Sequence, residues 1–186
     1  MNPRIEKPTK FAEHELDQLC EATEEAIIDG NGFGWLKPPA RRVLESYWKG
    51  VLLVPQRALF IARLDNHIVG SAQLLKPPPN NEAQAHSATL TTFFIAPWAR
   101  GHGLARGLLQ AVEDAARAEG FALLDLDVRE TQTAAIALYE GAGFKRWSVK
   151  QRYARVNGAY VAGWFYSKLL TAETAGKTEA TQSQTA

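Results

Sequence analysis

Residues 88–128 read ATLTTFFIAPWARGHGLARGLLQAVEDAARAEGFALLDLDV, and their pattern organises the rest of the chain. Apolar and β-branched residues run from Ala88 to Ile95 and are stopped by Pro97. That length and composition fit a buried strand. Arg100-Gly101-His102-Gly103-Leu104-Ala105 follows, and Leu104, Leu108, Leu109, Val112 and Ala116 then recur on or near one helical face. Gly120 closes the helix, and Phe121 to Val128 is again nearly continuous in apolar residues. The order is strand, glycine turn, helix, strand.

The turn has the chemistry of an anion site. Gly101 and Gly103 lack a Cβ, so the backbone bends tightly and a ligand approaches closely. The first turn of the next helix leaves N–H groups without helical partners, and its dipole favours a phosphate or pyrophosphate. Arg100 adds a positive charge, with Arg106 as a second candidate. Two glycines at a helix start also occur in turns that bind nothing. A Walker loop is excluded, because Leu104 and Ala105 stand where Lys-Ser or Lys-Thr is required. The dinucleotide fingerprint lacks its third glycine, although Asp125 and Asp127 lie near the distance of its acidic residue.

Outward from this core, the chain has 186 residues, enough for one domain with a sizeable core. Its net charge of +1 gives no general argument for nucleic acid or membrane as partner. Cys20 is the single cysteine, which excludes an intrachain disulfide and a cysteine-rich metal site. No segment has the apolar length of a membrane span or of a signal peptide core, so a cytoplasmic protein is expected. Asp125 and Asp127 share a strand face, but no histidine or third acid accompanies them and no metal site is expected. Their direction stays open between solvent, a polar support and a substrate.

The coarse order is β–α–α–β–β–β–α–β–α–β–β, with helices over 11–28 and 40–53 and a hairpin turn at Asn157-Gly158. Residues 1–170 are expected to form the domain, and 171–186, rich in Thr, Ala, Gln and Glu, a disordered tail.

Arg100-Gly101-His102-Gly103-Leu104-Ala105 fits the Arg/Gln-x-x-Gly-x-Gly/Ala signature, and Ala135-Ile136-Ala137-Leu138-Tyr139-Glu140 with Gly143-Phe144 fits A-x-x-L-Y-E-x-x-G-F. Carrying both, in this order, the chain resembles the GCN5-related N-acetyltransferases over residues 5–170. Gln151-Arg152-Tyr153-Ala154 and Trp164-Phe165-Tyr166-Ser167-Lys168 look like the end of the tabtoxin-resistance-like branch.

The resemblance implies an α/β (α+β) fold with a mixed, mostly antiparallel central sheet flanked by helices, whose central parallel strands splay apart. It implies acetyl-CoA as co-substrate. Backbone amides of Gly101, Gly103 and Ala105 would hold the pyrophosphate, with Arg100 contributing charge and His102 and Leu104 contributing backbone. Phe93 and Ile95 would bond the pantetheine as though it were an added strand, and Gln132 stands where the family often has asparagine. Tyr139 would protonate the departing thiolate. Its structural alternative is a ring packed on the sheet with a hydroxyl bonded at the edge.

The reaction implied is direct acetyl transfer to a primary amine, with a small amino-acid-like metabolite or antibiotic as the expected partner. Phe33, Trp35 and Tyr153 are the substrate-binding candidates. A protein or peptide amine is the alternative acceptor, and a non-catalytic acyl-CoA sensor the alternative from another class. A homodimer through the terminal hairpin is compatible with the sequence. The family often places a glutamate base on the strand before the glycine turn, and no acid lies between Ala83 and Pro97.

Overall fold

The computed structural model describes residues 2–30 and 33–171. Four helices are α1 (Glu13–Ile28), α2 (Arg41–Leu53), α3 (Leu104–Ala118) and α4 (Thr133–Gly141). The strands are β1 (Pro3–Glu6), β2 (Arg57–Leu64), β3 (His67–Leu75), β4 (Ser87–Ile95), β5 (Leu123–Arg129), β6 (Lys145–Val156) and β7 (Ala159–Leu169). They form one sheet in the order β1-β2-β3-β4-β5-β7-β6. Every pairing is antiparallel except β4 with β5. This is the mixed, mostly antiparallel sheet flanked by helices that the sequence leads one to expect. The tail expected over 171–186 lies outside the described residues apart from Thr171.

Successive residues of a strand face opposite sides of the sheet. Ala58 to Leu64 and Ile68 to Leu74 are buried without interruption, so both sheet faces are covered there. α1 and α2 pack on each other, and α3 lies across β1 to β4. The stripe Leu16, Leu19, Cys20, Thr23, Ala26 and Ile27 is buried as α1's periodicity requires. Trp48, fully buried on α2, donates from Nε1 to Thr23 Oγ1 at 3.1 Å, and Thr23 donates to Leu19 O at 2.6 Å. A large apolar ring thereby enters the core with its one polar atom satisfied.

β4 and β5 pair over three residues only, Ser87 to Thr89 with Leu123 to Asp125. Two features hold this fork. Asp125, at the last paired position, accepts from Ser87 Oγ at 2.6 Å and from Ser167 Oγ at 2.5 Å, so one carboxylate ties β4, β5 and β7. Beyond it β4 carries an extra residue against β3, and Thr92 adopts φ 50°. A positive φ at a β-branched residue is held only where its surroundings fix it. Ser71 Oγ donates to Thr92 O at 3.2 Å, and Thr92 Oγ1 lies 3.3 Å from Tyr47 Oη, which accepts from the fully buried Gln73 at 3.2 Å. Gly70 faces this bulge so closely that a Cβ would sit 2.4 Å from Phe94 O.

Asp125→Ala leaves both serine hydroxyls without their shared acceptor. The expected loss is about 2 kcal/mol of unfolding free energy, measured by urea denaturation. An unchanged denaturation midpoint would show that the fork needs no such tie.

Candidate active site

Where β4 and β5 part, a cleft of about 940 Å³ opens. Its walls come from Leu90 to Ile95 on β4, Leu126 to Arg129 on β5, the glycine turn before α3, the start and Tyr139 of α4, Phe33, Gly34 and Leu36 before α2, and Tyr153 to Arg155 on β6. Phe93, Ile95, Arg100, Gly101, Gly103, Leu104, Ala105, Gln132, Phe33, Tyr139 and Tyr153 all line it, so the fold gathers candidates spread along the chain. His102 and Trp35 do not line it. His102 Nδ1 lies 3.2 Å from Ala99 O, turned onto its own loop. Trp35 stacks behind Phe33 and meets Tyr47 edge-on.

At the turn, Gly101 and Gly103 adopt φ 83° and 75°, which explains glycine at both. A Cβ at either would meet nothing within 4 Å, so the turn opens onto free space. The first α3 bond recorded at the turn runs from Gly107 N–H to Gly103 O at 3.0 Å. The N–H groups ahead of it belong to the helix end, with the positive end of the dipole behind them. Arg100 Nη2 donates to Asp29 Oδ2 at 2.6 Å, so its guanidinium is engaged by the end of α1. Gln132 likewise reaches across, donating from Nε2 to Gly30 O at 2.6 Å, and Arg129 donates to Phe33 O.

Tyr139 is 5% exposed and packs between Phe93 and Phe144, with ring centroids 5.7 and 5.9 Å away. No hydrogen bond joins its hydroxyl to another described residue, so the edge-bonded alternative does not describe it. Burial pushes its phenol above the ordinary value, and the negative charge of Asp127 adds to the shift. The phenol therefore keeps its proton throughout the neutral range.

The two aspartates of β5 have separate surroundings. Asp125 is the polar tie described above. Asp127 lines the cleft and accepts a hydrogen bond from Tyr153 Oη. Tyr153's phenol is pushed up by burial first and by Asp127 second. The sequence left the direction of both Asp125 and Asp127 open. Their spacing fixes a shared face, and only the neighbouring strands separate their surroundings. Tyr153 sits against Gly163, where a Cβ would fall 2.1 Å from Tyr153 Cγ. Among the described residues, no group of three His, Cys, Asp or Glu is arranged to hold a metal, and no helix is long and apolar enough to cross a membrane.

Residues 17–144 match the acetyltransferase (GNAT) family, and the chain belongs to it. It is an acetyl-CoA-dependent acetyltransferase. It is 61% identical over 128 residues to an uncharacterized N-acetyltransferase encoded in the hisH-hisA intergenic region of Azospirillum brasilense, covering 69% of this chain and 76% of that one. The N-alpha-acetyltransferase RimI of Mycobacterium tuberculosis is 37% identical over 144 residues, covering 76% of this chain and 80% of the relative. A 66-residue match, 39% identical, joins 36% of this chain to 45% of the [ribosomal protein bS18]-alanine N-acetyltransferase of Escherichia coli. Among solved structures, yncA of Salmonella typhimurium with its cofactor acetyl-CoA shares the fold at TM-score 0.76 and 15% identity, over 96% of this chain and 99% of that one.

These relatives correct one expectation. A small-molecule amine was the expected partner, and most of the relatives named for a defined acceptor are named instead for the alanine of a ribosomal protein, with one shorter match named for mycothiol. The small-molecule reading rested on the terminal hairpin's resemblance to one branch, and that hairpin lies beyond the family match ending at residue 144.

Gly163→Ala is expected to force Tyr153 off Asp127. The overpacking should cost about 1–3 kcal/mol in denaturant unfolding. In a spectrophotometric titration one more tyrosine should ionise near the ordinary value of about 10. A titration identical to that of the parent protein would count against the contact.

Proposed function

We propose that the protein acetylates the N-terminal α-amine of a polypeptide. The observation that carries this reading is the 37% identity, over three quarters of the chain, to a relative named as an N-alpha-acetyltransferase. The cleft suits such an acceptor, because Phe33 and Leu36, from the segment between α1 and α2, and Tyr153, from the edge strand β6, all line it. The narrower tabtoxin-resistance-like placement gains nothing from these relatives.

Bound acetyl-CoA supplies an acetyl group activated on a thioester sulfur. The glycine turn fits its pyrophosphate on two observations, the helix-end N–H groups and the open space before Gly101 and Gly103. In this reading the backbone of Gly101, Gly103 and Ala105, with that of His102 and Leu104, holds the phosphates. Arg100 adds charge from its pair with Asp29, which keeps the guanidinium beside the turn. β4 beyond Thr89 has lost β5 as a neighbour, so backbone groups of Phe93 and Ile95 turned from β3 are available to a pantetheine amide. Gln132 borders the same wall.

The chain's own chemistry then divides between two groups. An α-amine must lose a proton before it attacks, and Asp127 is a carboxylate in the cleft wall suited to accept it, directly or through water. Tyr153, donating to Asp127, orients that carboxylate. Tyr139 holds the proton that the leaving sulfur takes. Its raised pKa keeps the phenol protonated until the leaving sulfur takes the proton. Holding amine and thioester together supplies much of the remaining acceleration.

Tyr139→Phe keeps the ring packing and removes the donor. Turnover should fall about 10²-fold with acetyl-CoA affinity nearly unchanged. Because burial raises the phenol's pKa, parental activity should not decline through pH 10 by ionisation of this group; a decline there that is absent from Tyr139→Phe would show an unshifted phenol, and undiminished turnover of Tyr139→Phe would reject the donor role. Peptides bearing one free α-amine and one internal lysine test the acceptor. Mass spectrometry should place the acetyl group on the α-amine, and acetylation confined to lysine would sink the reading.

A further inference from the structure

We propose that β6, the outer strand of the terminal hairpin, reads acidic side chains on the acceptor polypeptide, downstream of the amine that is acetylated. This rests on the polypeptide reading above.

β6 is an edge of the sheet, and Lys145, Arg146, Lys150, Arg152 and Arg155 on it are all exposed. From Lys145 to Leu169 there is no aspartate or glutamate, although the whole chain carries a net charge of only +1. Arg41, Arg63, Lys76, Arg100, Arg117 and Lys168 each face a carboxylate within 4 Å. Among the described residues, none of the five cations of β6 does.

Their arrangement is ordered rather than diffuse. The guanidinium carbons of Arg152 and Arg155 lie 5.1 and 5.9 Å from the centroid of the same ring, Tyr160, and Arg146 lies 4.2 Å from that of Trp164. Stacking of this kind occupies the flat face of a guanidinium and leaves N–H groups at its edge for a carboxylate. Arg155 spends its Nε–H on Gly158 O at 3.3 Å, which fixes its direction further. Tyr153, Ala154 and Arg155 are themselves cleft wall. The cationic row therefore starts where the acceptor's amine must lie. Lys150 pairs with Gly163 and Arg155 with Tyr160 across a register shift, so the two cations lie about three strand steps, ~10 Å, apart.

Protection of a bare sheet edge also calls for cations. It does not call for Trp147 at 66% exposure or Tyr160 at 58% on the same hairpin, nor for two guanidiniums gathered on one ring beside the cleft. Edge pairing of two copies would set these like charges against each other. An acidic, extended segment matches both the charge and the direction, and the connection to the cleft favours the acceptor itself over a nucleic acid.

The test uses the full-length protein with acetyl-CoA and peptides that share one N-terminal residue but carry Glu, Gln or Lys at the third to sixth positions. The readout is the ratio of kcat/KM for the Glu peptide to that for the Gln peptide, in which any general loss of activity cancels. At low salt the ratio should be about tenfold and should shrink at high salt, as screened surface charges require. Lys150→Glu with Arg152→Glu should bring it below one, while Arg152→Lys should keep most of it. A ratio near one in the parent protein, or one retained in the double variant, overturns the proposal and leaves the polypeptide reading standing. Saturable binding of a single-stranded RNA oligonucleotide, lost in the double variant while the peptide ratio is flat, assigns the strand to nucleic acid and also overturns it. No acetylation of any peptide by protein that binds acetyl-CoA rejects the polypeptide reading and this inference with it.

Discussion

Asp125 accepts two serine hydroxyls at the last position where the parallel strands are paired. One strand step further the sheet is open. A sheet normally gains by continuing to pair, because unpaired backbone groups are costly when dry. Here the extra residue at Thr92 and the contact of Gly70 with Phe94 turn β4 away from β5. Tyr47 and Gln73 hold that turn from the α2 side and from β3, through hydrogen bonds of 3.3 and 3.2 Å. The carboxylate stops the opening from spreading, and the bulge stops it from closing. Together they define a cleft whose walls remain part of one packed sheet.

The segment between α1 and α2 is fastened to the cleft by residues from the opposite half of the chain. Arg100 holds Asp29, Gln132 holds Gly30 O and Arg129 holds Phe33 O. Each of these donors also lines the cleft. The chemistry of the walls and the position of the segment between α1 and α2 are thus not independent. A substitution at Gln132 would alter both a wall and a fastening, so its kinetic effect cannot be assigned to a single contact.

Much of this was legible before any coordinates. Periodicity located the helices, because burying an apolar stripe is a local requirement that spacing records. The glycine turn was visible because positive φ at Gly101 and Gly103 restricts the residue type. Tyr139 came from the resemblance, and the fold supplies its buried, unbonded setting. Other features depend on partners remote in sequence. Asp125 and Asp127 look alike until Ser87, Ser167 and Tyr153 are beside them. Arg100 meets a carboxylate 71 residues away, which no local pattern records. Val43 belongs to the apolar pattern of α2, yet is 41% exposed, because the helix buries only the narrower face of Leu44, Trp48 and Val51.

The fork also divides the chain. β1 to β4 fall within residues 3–95 and β5 to β7 within 123–169, with α3 between them. Within the halves β2 pairs with β3, β3 with β4 and β6 with β7 as neighbours in sequence, while β1 reaches β2 across both α1 and α2 and β5 reaches β7 across α4 and β6. Among the described residues, the only ladder that crosses the division is the three-residue join of Ser87 to Thr89 with Leu123 to Asp125. During folding, the halves therefore have little backbone pairing to align across the junction between them, and α3 occupies most of the chain that must close it. A cleft that remains open in the finished molecule is also a strand pairing that the folding chain does not have to find.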